Sequence, residues 1–285
     1  MWIVLAFLSS IFAALSTILA KCGIKQTGST LATALRTVVV LVFSWLIVLF
    51  TGKASGIAAI EAKSWIFLVL SGLATGASWL CYFRAIEIGE VNKVVAVDKT
   101  SVVLTIVFGI IIFQEEVSVW KALALPLILC GTLLMSVRKP QGEKGKGSAW
   151  FVFAALSAVF ASLTSILAKI GIQNVDSNLA TAIRTTVVLV MSFMMVSVSE
   201  KGKEKVMPNK KELLFIALSG IATGASWLCY FSALKNGQIS IVAPIDKLSV
   251  VFVVIFSWLF LGEKAEKKSV LGLLLMTVGT LMTIL

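Results

Sequence analysis

Six charged residues lie inside otherwise apolar stretches of the chain. Asp98 and Asp246 are each followed by a lysine, in the segments VDKTSVV and IDKLSVV, and an arginine lies in each of LATALRT and LATAIRT. A charge near the centre of a membrane-spanning helix costs roughly 2.5–3.5 kcal/mol on insertion scales, so such residues usually have a partner or a function. The chemistry open to them is ion pairing, binding of a charged solute and proton transfer. The gating or coupling candidates are Arg36, Asp98, Lys99, Arg184, Asp246 and Lys247, with Lys21 and Lys169 at helix ends.

A second group of polar residues recurs in the segments SGLATGASWLCYF, from Ser71, and SGIATGASWLCYF, from Ser219. At about 100° per residue, the hydroxyl and aromatic residues share one helical face and the glycines occupy the adjoining face, where they predict close helix packing. The polar face suits a ligand cavity; the alternative is an aromatic belt at the membrane surface. The cavity candidates are Thr75, Ser78, Trp79, Tyr82, Thr223, Ser226, Trp227 and Tyr230.

The composition indicates which elements must position these residues. The chain has 285 residues, of which 59% are hydrophobic and 14% are charged, and its mean hydropathy is +1.01. This is typical of a membrane protein, and continuous apolar stretches of roughly 20 residues predict helices that cross a hydrocarbon core about 30 Å thick. We predict an all-α integral membrane protein with ten transmembrane helices, at about 2–20, 31–51, 65–83, 94–113, 119–137, 150–168, 179–199, 213–234, 240–261 and 267–285.

The net charge of +11 follows the predicted topology. When the ten helices are threaded through a membrane, 16 basic residues fall on one face and 5 on the other. Basic residues concentrate on the cytoplasmic side, so the count places both termini outside, most simply at the plasma membrane. It also accounts for the positive charge without a nucleic-acid partner.

The chain consists of two similar halves. A shift of 148 positions aligns 1–137 with 149–285 without a gap, and 59 of the 137 pairs are identical. Five helices per half is an odd number, so the second half must enter the bilayer in the opposite sense. Such inverted repeats are a recurring design of secondary transporters. The segment 138–148, RKPQGEKGKGS, is predicted to be a basic cytoplasmic linker between the halves.

These features resemble the drug/metabolite transporter superfamily, of the EamA type. The resemblance rests on the tandem five-helix halves, the arginine of LATALRT and LATAIRT, the segments SGLATGASWLCYFRAI and SGIATGASWLCYFSAL, and FLGEK from Phe260 with its weaker counterpart FQEE from Phe113. It implies ten helices, alternating access and often efflux or exchange, for substrates that range from amino acids and sugars to drugs. It also implies cytoplasmic termini, which disagrees with the charge count.

The depth of the charged residues predicts two ion pairs. Arg36 and Asp98 enter their helices from one face to a similar depth, and Arg184 and Asp246 do so from the other face. Two pairs at opposite ends of one pathway could act as alternating gates. The alternative is static: the pairs orient helices, or the charged ends extend to the headgroups.

Pro244 and the acidic residues after the fourth and ninth spans have more economical interpretations. A proline is tolerated in the first turn of a helix, and we predict that position for Pro244 rather than a kink. Glu115 and Glu263 are interpreted as solvated ends or helix caps rather than proton carriers.

Three classes of function remain. A secondary transporter of a small metabolite or drug, with proton coupling as one option through Asp98 and Asp246, accounts for all features together. The alternative is a non-transporting membrane scaffold or assembly partner. An enzyme is not expected, because there is no histidine and the four cysteines lack metal-ligand spacing. We expect no cofactor and no metal; the partners are the lipid bilayer and a small-molecule substrate, and a monomer suffices.

Overall fold

A computed structural model describes residues 1–23, 26–136, 149–199, 207–262 and 267–285. Within these ranges the chain forms helices and no strands, in agreement with the predicted all-α class. The predicted linker 138–148 lies outside the described residues, as does Glu263. The helices are α1 Trp2–Gly23, α2 Ser29–Phe50, α3 Ala62–Ile88, α4 Val91–Lys99, α5 Ser101–Phe113, α6 Val119–Ser136, α7 Ala149–Gly171, α8 Ser177–Ser199, α9 Lys210–Asn236, α10 Ile239–Lys247, α11 Ser249–Leu261 and α12 Lys267–Met282, with a 3₁₀ helix at Ala54–Ala59.

Most of these helices have the length and composition of membrane spans. In the described part of the chain, eight helical segments are long and apolar enough to cross a membrane. Two shorter apolar segments, Val119–Met135 and Lys268–Met282, correspond to the fifth and tenth predicted spans. Large apolar side chains are exposed along the helices, as expected for a surface in contact with lipid. Examples are Leu46, Phe50, Ile66, Leu73, Leu123, Phe193, Leu218 and Leu274.

The fourth and ninth predicted spans are retained as apolar segments, Lys93–Phe113 and Ile239–Phe260, but each contains a turn. Thr100 separates α4 from α5, and Leu248 separates α10 from α11. At both positions the backbone N–H donates to the carbonyl three residues before it, at 3.0 Å. A single hydrogen bond of the 3₁₀ type leaves the hydrophobic pattern of the span unchanged, so the sequence pattern did not predict the turn.

The proline in this region does not explain the turn. Pro244 lies inside α10 and not in its first turn, so the first-turn prediction is wrong. The equivalent position in the first half is Ala96, and that half turns at Thr100 in the same way. The two turns are therefore a property of the repeat and not of the proline.

The two halves pack by exchanging helices. Helix α1 packs mainly on α9 and α3 packs mainly on α7, while α2 meets α8 and α6 meets α12. The shift of 148 converts the first pair into the second and each of the other pairs into itself. The halves therefore form one body with an approximate two-fold relation, and the space between α1, α3, α7 and α9 lies at its centre.

The glycines of the duplicated segment permit this close packing. A Cβ added to Gly72 would lie 2.7 Å from the Cβ of Val187, and one added to Gly220 would lie 2.6 Å from the Cβ of Val39. Real Cβ atoms do not approach so closely, so the predicted packing role is confirmed at α3–α8 and α9–α2. The same role holds one turn later at Gly76 and Gly224.

Candidate functional site

A cavity of about 290 Å³ lies between the two halves. It is bordered by helices that the cross-half packing brings together, so neither half alone could form it. Its size is at the lower end of the range of small-molecule sites, roughly 300–1,000 Å³. Nine of the residues predicted from sequence line it: Thr75, Ser78, Trp79, Arg184, Ser226, Trp227, Tyr230, Asp246 and Lys247.

Arg184 is the central cation of the cavity and is only 2% exposed. Its Nε donates to Ser71 Oγ at 3.3 Å and an Nη donates to Thr75 Oγ1 at 2.9 Å. Its Cζ lies 4.2 Å from the ring centre of Phe231 and 5.5 Å from that of Trp227. The guanidinium is thus held between hydroxyls of α3 and aromatic rings of α9, and no acidic side chain pairs with it in the described part of the chain.

The repeat equivalent of this arginine has different surroundings. Arg36 is half-buried and does not line the cavity. The Thr223 hydroxyl lies 2.6 Å from Ser16 Oγ and donates to the carbonyl of Ser219 at 2.8 Å. Thr223 therefore joins α1 to α9 and does not line the cavity, in contrast to its equivalent Thr75.

Each intramembrane aspartate is hydrogen-bonded across the halves by a serine. Ser9 on α1 donates to Asp246 at 2.7 Å, and Ser157 on α7 donates to Asp98 at 2.7 Å. The serine of the duplicated segment completes each cluster: Ser226 Oγ is 3.2 Å from Ser9 Oγ, and Ser78 donates to the carbonyl of Ser157 at 3.1 Å. The two clusters are repeat equivalents, and each joins three helices.

The predicted ion pairs are not formed in this conformation. Within the described ranges no ion pair joins Arg36 to Asp98 or Arg184 to Asp246. Serine hydroxyls donate to the aspartates instead, because the packing of helices across the halves brings those serines next to them. The prediction that the charges form two clusters at opposite ends of one pathway stays a prediction. Lys99 interacts electrostatically with Lys247 and with both aspartates.

The aromatic candidates divide between the cavity and its surroundings. Trp79 and Trp227 both line the cavity, so the aromatic-belt alternative does not describe them. Tyr230 also lines it, and its hydroxyl lies 2.9 Å from Ser165 Oγ. Tyr82 does not: it lies within electrostatic range of Asp98 and packs against the cluster that contains α4 and α7.

Lys169 forms a buried cluster at one end of the helix bundle. Its Nζ donates to Glu115 Oε1 at 2.8 Å and to the carbonyl of Gly237 at 2.9 Å. Glu115 also accepts from the backbone amides of Ile239 at 2.7 Å and Ser240 at 2.9 Å, and thereby caps the N-terminus of α10. We call these four groups, Lys169, Glu115 and the two amides, the Glu115 cluster. The cap interpretation of Glu115 is correct, but the residue is buried at 9% exposure and not solvated.

The electrostatics of the Glu115 cluster favour the charged carboxylate. Burial raises the pKa of Glu115, but the hydrogen bonds from Lys169 and Ser240 outweigh it, so the pKa lies below its ordinary value. The repeat equivalent of Lys169 is Lys21, at the end of α1 on the opposite side of the bundle, where it is exposed. Lys21 does not line the cavity, and nor does Lys169.

Sequence reasoning missed several cavity and cluster residues. Thr164, Ser165 and Phe231 line the cavity, and Ser9 and Ser157 hold the aspartates. A signal for the serines was present: a serine occupies the same position of both repeats inside an apolar helix. No such signal marks Phe231, because a phenylalanine in an apolar span predicts only burial.

Comparisons with known proteins give consistent results. Residues 1–137 and 148–285 each match the EamA-like transporter family. An uncharacterized transporter encoded in the cobO 3′ region of Sinorhizobium sp is 47% identical over 134 residues, which is 47% of this chain and 94% of that protein. That relative thus has about the length of one half. The uncharacterized transporter YxxF of Bacillus subtilis (strain 168) is 22% identical over 76% of this chain and 70% of its own length.

A solved structure shares the fold. One protein crystal structure aligns with a TM-score of 0.82 and 16% sequence identity, over 99% of this chain and 96% of that one. At this identity the match shows the overall fold alone.

Proposed function

Because this chain belongs to the EamA-like transporter family of the drug/metabolite transporter superfamily, we propose that it is a secondary transporter that moves a small solute by alternating access. Ten spans form two repeats, 1–137 and 149–285, inserted in opposite senses, with 138–148 as the cytoplasmic linker. The termini lie outside and the protein resides in the plasma membrane. The cavity between the halves is the solute site.

The observation that carries this proposal is the unequal burial of two equivalent helices, α2 and α8. In α2, 28% of the apolar window is buried, whereas the corresponding figure for α8 is 61%. Both helices contain the LAT-A-RT motif, so composition does not explain the difference. Two similar repeats in different environments are what one conformer of an alternating pair requires, because exchange of their environments generates the other conformer.

The same asymmetry holds for individual residues. Arg184 and Lys169 are buried, while their equivalents Arg36 and Lys21 are half-buried and exposed. Ser165 lines the cavity, and its equivalent Thr17 is exposed. The side that contains the Glu115 cluster is therefore closed, and the side towards the end of α1 is open. By the charge count, the open side faces the cytoplasm.

The turns and the Glu115 cluster provide a physical basis for the exchange. The cluster fixes the start of α10, and α10 ends at the turn at Leu248 beside the cavity residues Asp246 and Lys247. A short helix held by one charged cap moves as a unit when that cap is released, because its other end is already a turn. Release of the cluster thus couples opening of this side to movement of the charges in the site.

Paired cysteine labelling tests the proposal. In a background with Cys22, Cys81, Cys130 and Cys229 replaced by serine, Thr17→Cys and Ser165→Cys are labelled with a hydrophilic maleimide in lipid nanodiscs, where the reagent reaches both faces of the membrane. We expect Thr17→Cys to react and Ser165→Cys to be protected. Adding Glu115→Gln, which weakens the closed side, should raise labelling at 165 and lower it at 17.

The reciprocal change is the decisive result. A static scaffold predicts that Glu115→Gln alters neither site or only the neighbouring one, and a channel predicts that both sites react together. Either result would count against alternating access. Glu87→Gln, which removes a charge from an exposed pair with Arg84, is the matched control and should leave both labelling rates unchanged.

A further inference from the structure

The buried guanidinium of Arg184 has unused hydrogen-bonding capacity. An arginine carries five N–H donors, and in the described residues only the bonds to Ser71 and Thr75 use them. Both acceptors are neutral hydroxyls. A buried cation without an acidic partner is unfavourable, and a bound anion relieves it. Because Arg184 lines the cavity, the unsatisfied donors are available to a ligand there.

The charged side chains that line the cavity are Arg184, Asp246 and Lys247, which together carry one positive charge in excess. Lys247 and Asp246 are adjacent and opposite in sign, and both line the cavity. The Asp246 carboxylate already accepts from Ser9. A monoanion therefore balances the site, whereas a phosphate monoester, with a charge of about −1.5 to −2 near neutral pH, would overcompensate it.

The shape of the cavity restricts the rest of the ligand. Trp79, Trp227 and Tyr230 form aromatic walls next to the guanidinium. At the roughly 30 Å³ that a water molecule occupies in the liquid, 290 Å³ holds about ten non-hydrogen atoms. This accommodates a compact acid with an apolar or aromatic body.

We propose that the solute carried by this protein is a compact organic monoanion whose carboxylate is bound by Arg184 and whose apolar body packs against the tryptophans. The proposal rests on the transport function inferred above. The planar guanidinium forms two parallel hydrogen bonds with a carboxylate. An amino acid satisfies the same rule if Asp246 receives its ammonium group.

Ligand binding to the purified full-length protein provides the test. The probes are 3-phenylpropanoate, its neutral isostere 3-phenylpropanamide, and phenylalanine, measured by thermal stabilisation over a concentration series. We expect the carboxylate to bind at least about tenfold more tightly than the amide, because a hydrogen bond to a charged group is the stronger one. Equal affinities for the two isosteres would overturn the proposal.

Variants assign the preference to one residue. Arg184→Gln should abolish the difference between carboxylate and amide, while Arg84→Gln, which removes an exposed positive charge outside the cavity lining, should preserve it. If Arg184→Gln does not fold, Arg184→Lys retains the charge without the planar donors and should reduce the difference several-fold. An undiminished preference in either variant would contradict the assignment.

Two further measurements show whether the carboxylate belongs to an amino acid, and whether a negative result concerns the substrate class or the transport function. If phenylalanine binds more tightly than 3-phenylpropanoate, and Asp246→Asn removes only that advantage, the carboxylate belongs to an amino acid. If instead a cation or a sugar stabilises the protein and exchanges in proteoliposomes, the substrate class is wrong and the transport function stands. If no class binds and the cysteine labelling shows no reciprocity, both fail.

Discussion

Removal of the charge of Glu115 is expected to destabilise the protein, because its buried carboxylate accepts hydrogen bonds from Lys169 and from two backbone amides. In Glu115→Gln, the ion pair with Lys169, at 2.8 Å with side-chain exposures of 10% and 5%, is lost, and the cap on α10 is weakened. Breaking one member of a buried pair costs about 3–5 kcal/mol, because the other charge stays buried and unpaired. At about 2–4 °C per kcal/mol, the apparent Tm in detergent should fall by roughly 6 °C or more.

A double-mutant cycle identifies the source of this effect. Lys169→Met should also destabilise, but the double variant should be more stable than the sum of the single effects predicts, by about 1 kcal/mol or more. Glu87→Gln, at an exposed pair, should cost no more than about 0.5 kcal/mol. Additive single effects, or equal costs at Glu115 and Glu87, would refute the reasoning.

The pKa of Glu115 adds a pH dependence to this prediction. Because the folded-state pKa lies below the ordinary value, the stabilising contribution is complete above the unfolded pKa of about 4.3 and is lost as the pH falls through the folded value. The difference in Tm between the wild type and Glu115→Gln should therefore be constant near neutral pH and shrink below about pH 4. A difference that shrinks between pH 8 and pH 6 would point to another group.

Two further substitutions test the packing and the aspartate clusters. Gly72→Ala should lower the free energy of unfolding by about 1–3 kcal/mol, because the new Cβ meets α8. Gly56→Ala, whose Cβ would be 3.4 Å from its nearest neighbour, should be tolerated. Equal Tm values for the two variants would contradict the packing role. Ser157→Ala removes a hydrogen-bond donor to Asp98 and should lower the free energy of unfolding by about 1–3 kcal/mol. Ser197 is exposed and bonded within its own helix, so Ser197→Ala should leave the Tm unchanged. A comparable loss of stability in both variants would argue against the cluster.

Much of the architecture follows from local sequence patterns. Apolar runs determine helices whatever their neighbours, because backbone groups in lipid must bond within their own segment. The duplication with a shift of 148 predicted equivalent roles for the two halves, and the glycine faces of α3 and α9 indicated close packing. These are properties of single helices or of sequence identity, and they do not depend on knowing which helices meet.

The partners of the charged residues could not be obtained in this way. Depth along a helix suggested that Arg36 would pair with Asp98 and Arg184 with Asp246. The exchange of α1 and α3 with α9 and α7 instead brings serines of the opposite half to the aspartates. A polar side chain bonds the nearest group of opposite character, and only the packing of the helices decides which group that is.

The sequence by itself determined a helical membrane protein with two equivalent halves and with polar residues on their inner faces. The tertiary structure decided that equivalent residues have unequal environments: Arg184 is buried in the cavity while Arg36 is not, and Lys169 is enclosed while Lys21 is exposed. Nearly identical sequence segments have the same local preferences, so a difference between them can arise only from how the whole bundle is packed in one conformation.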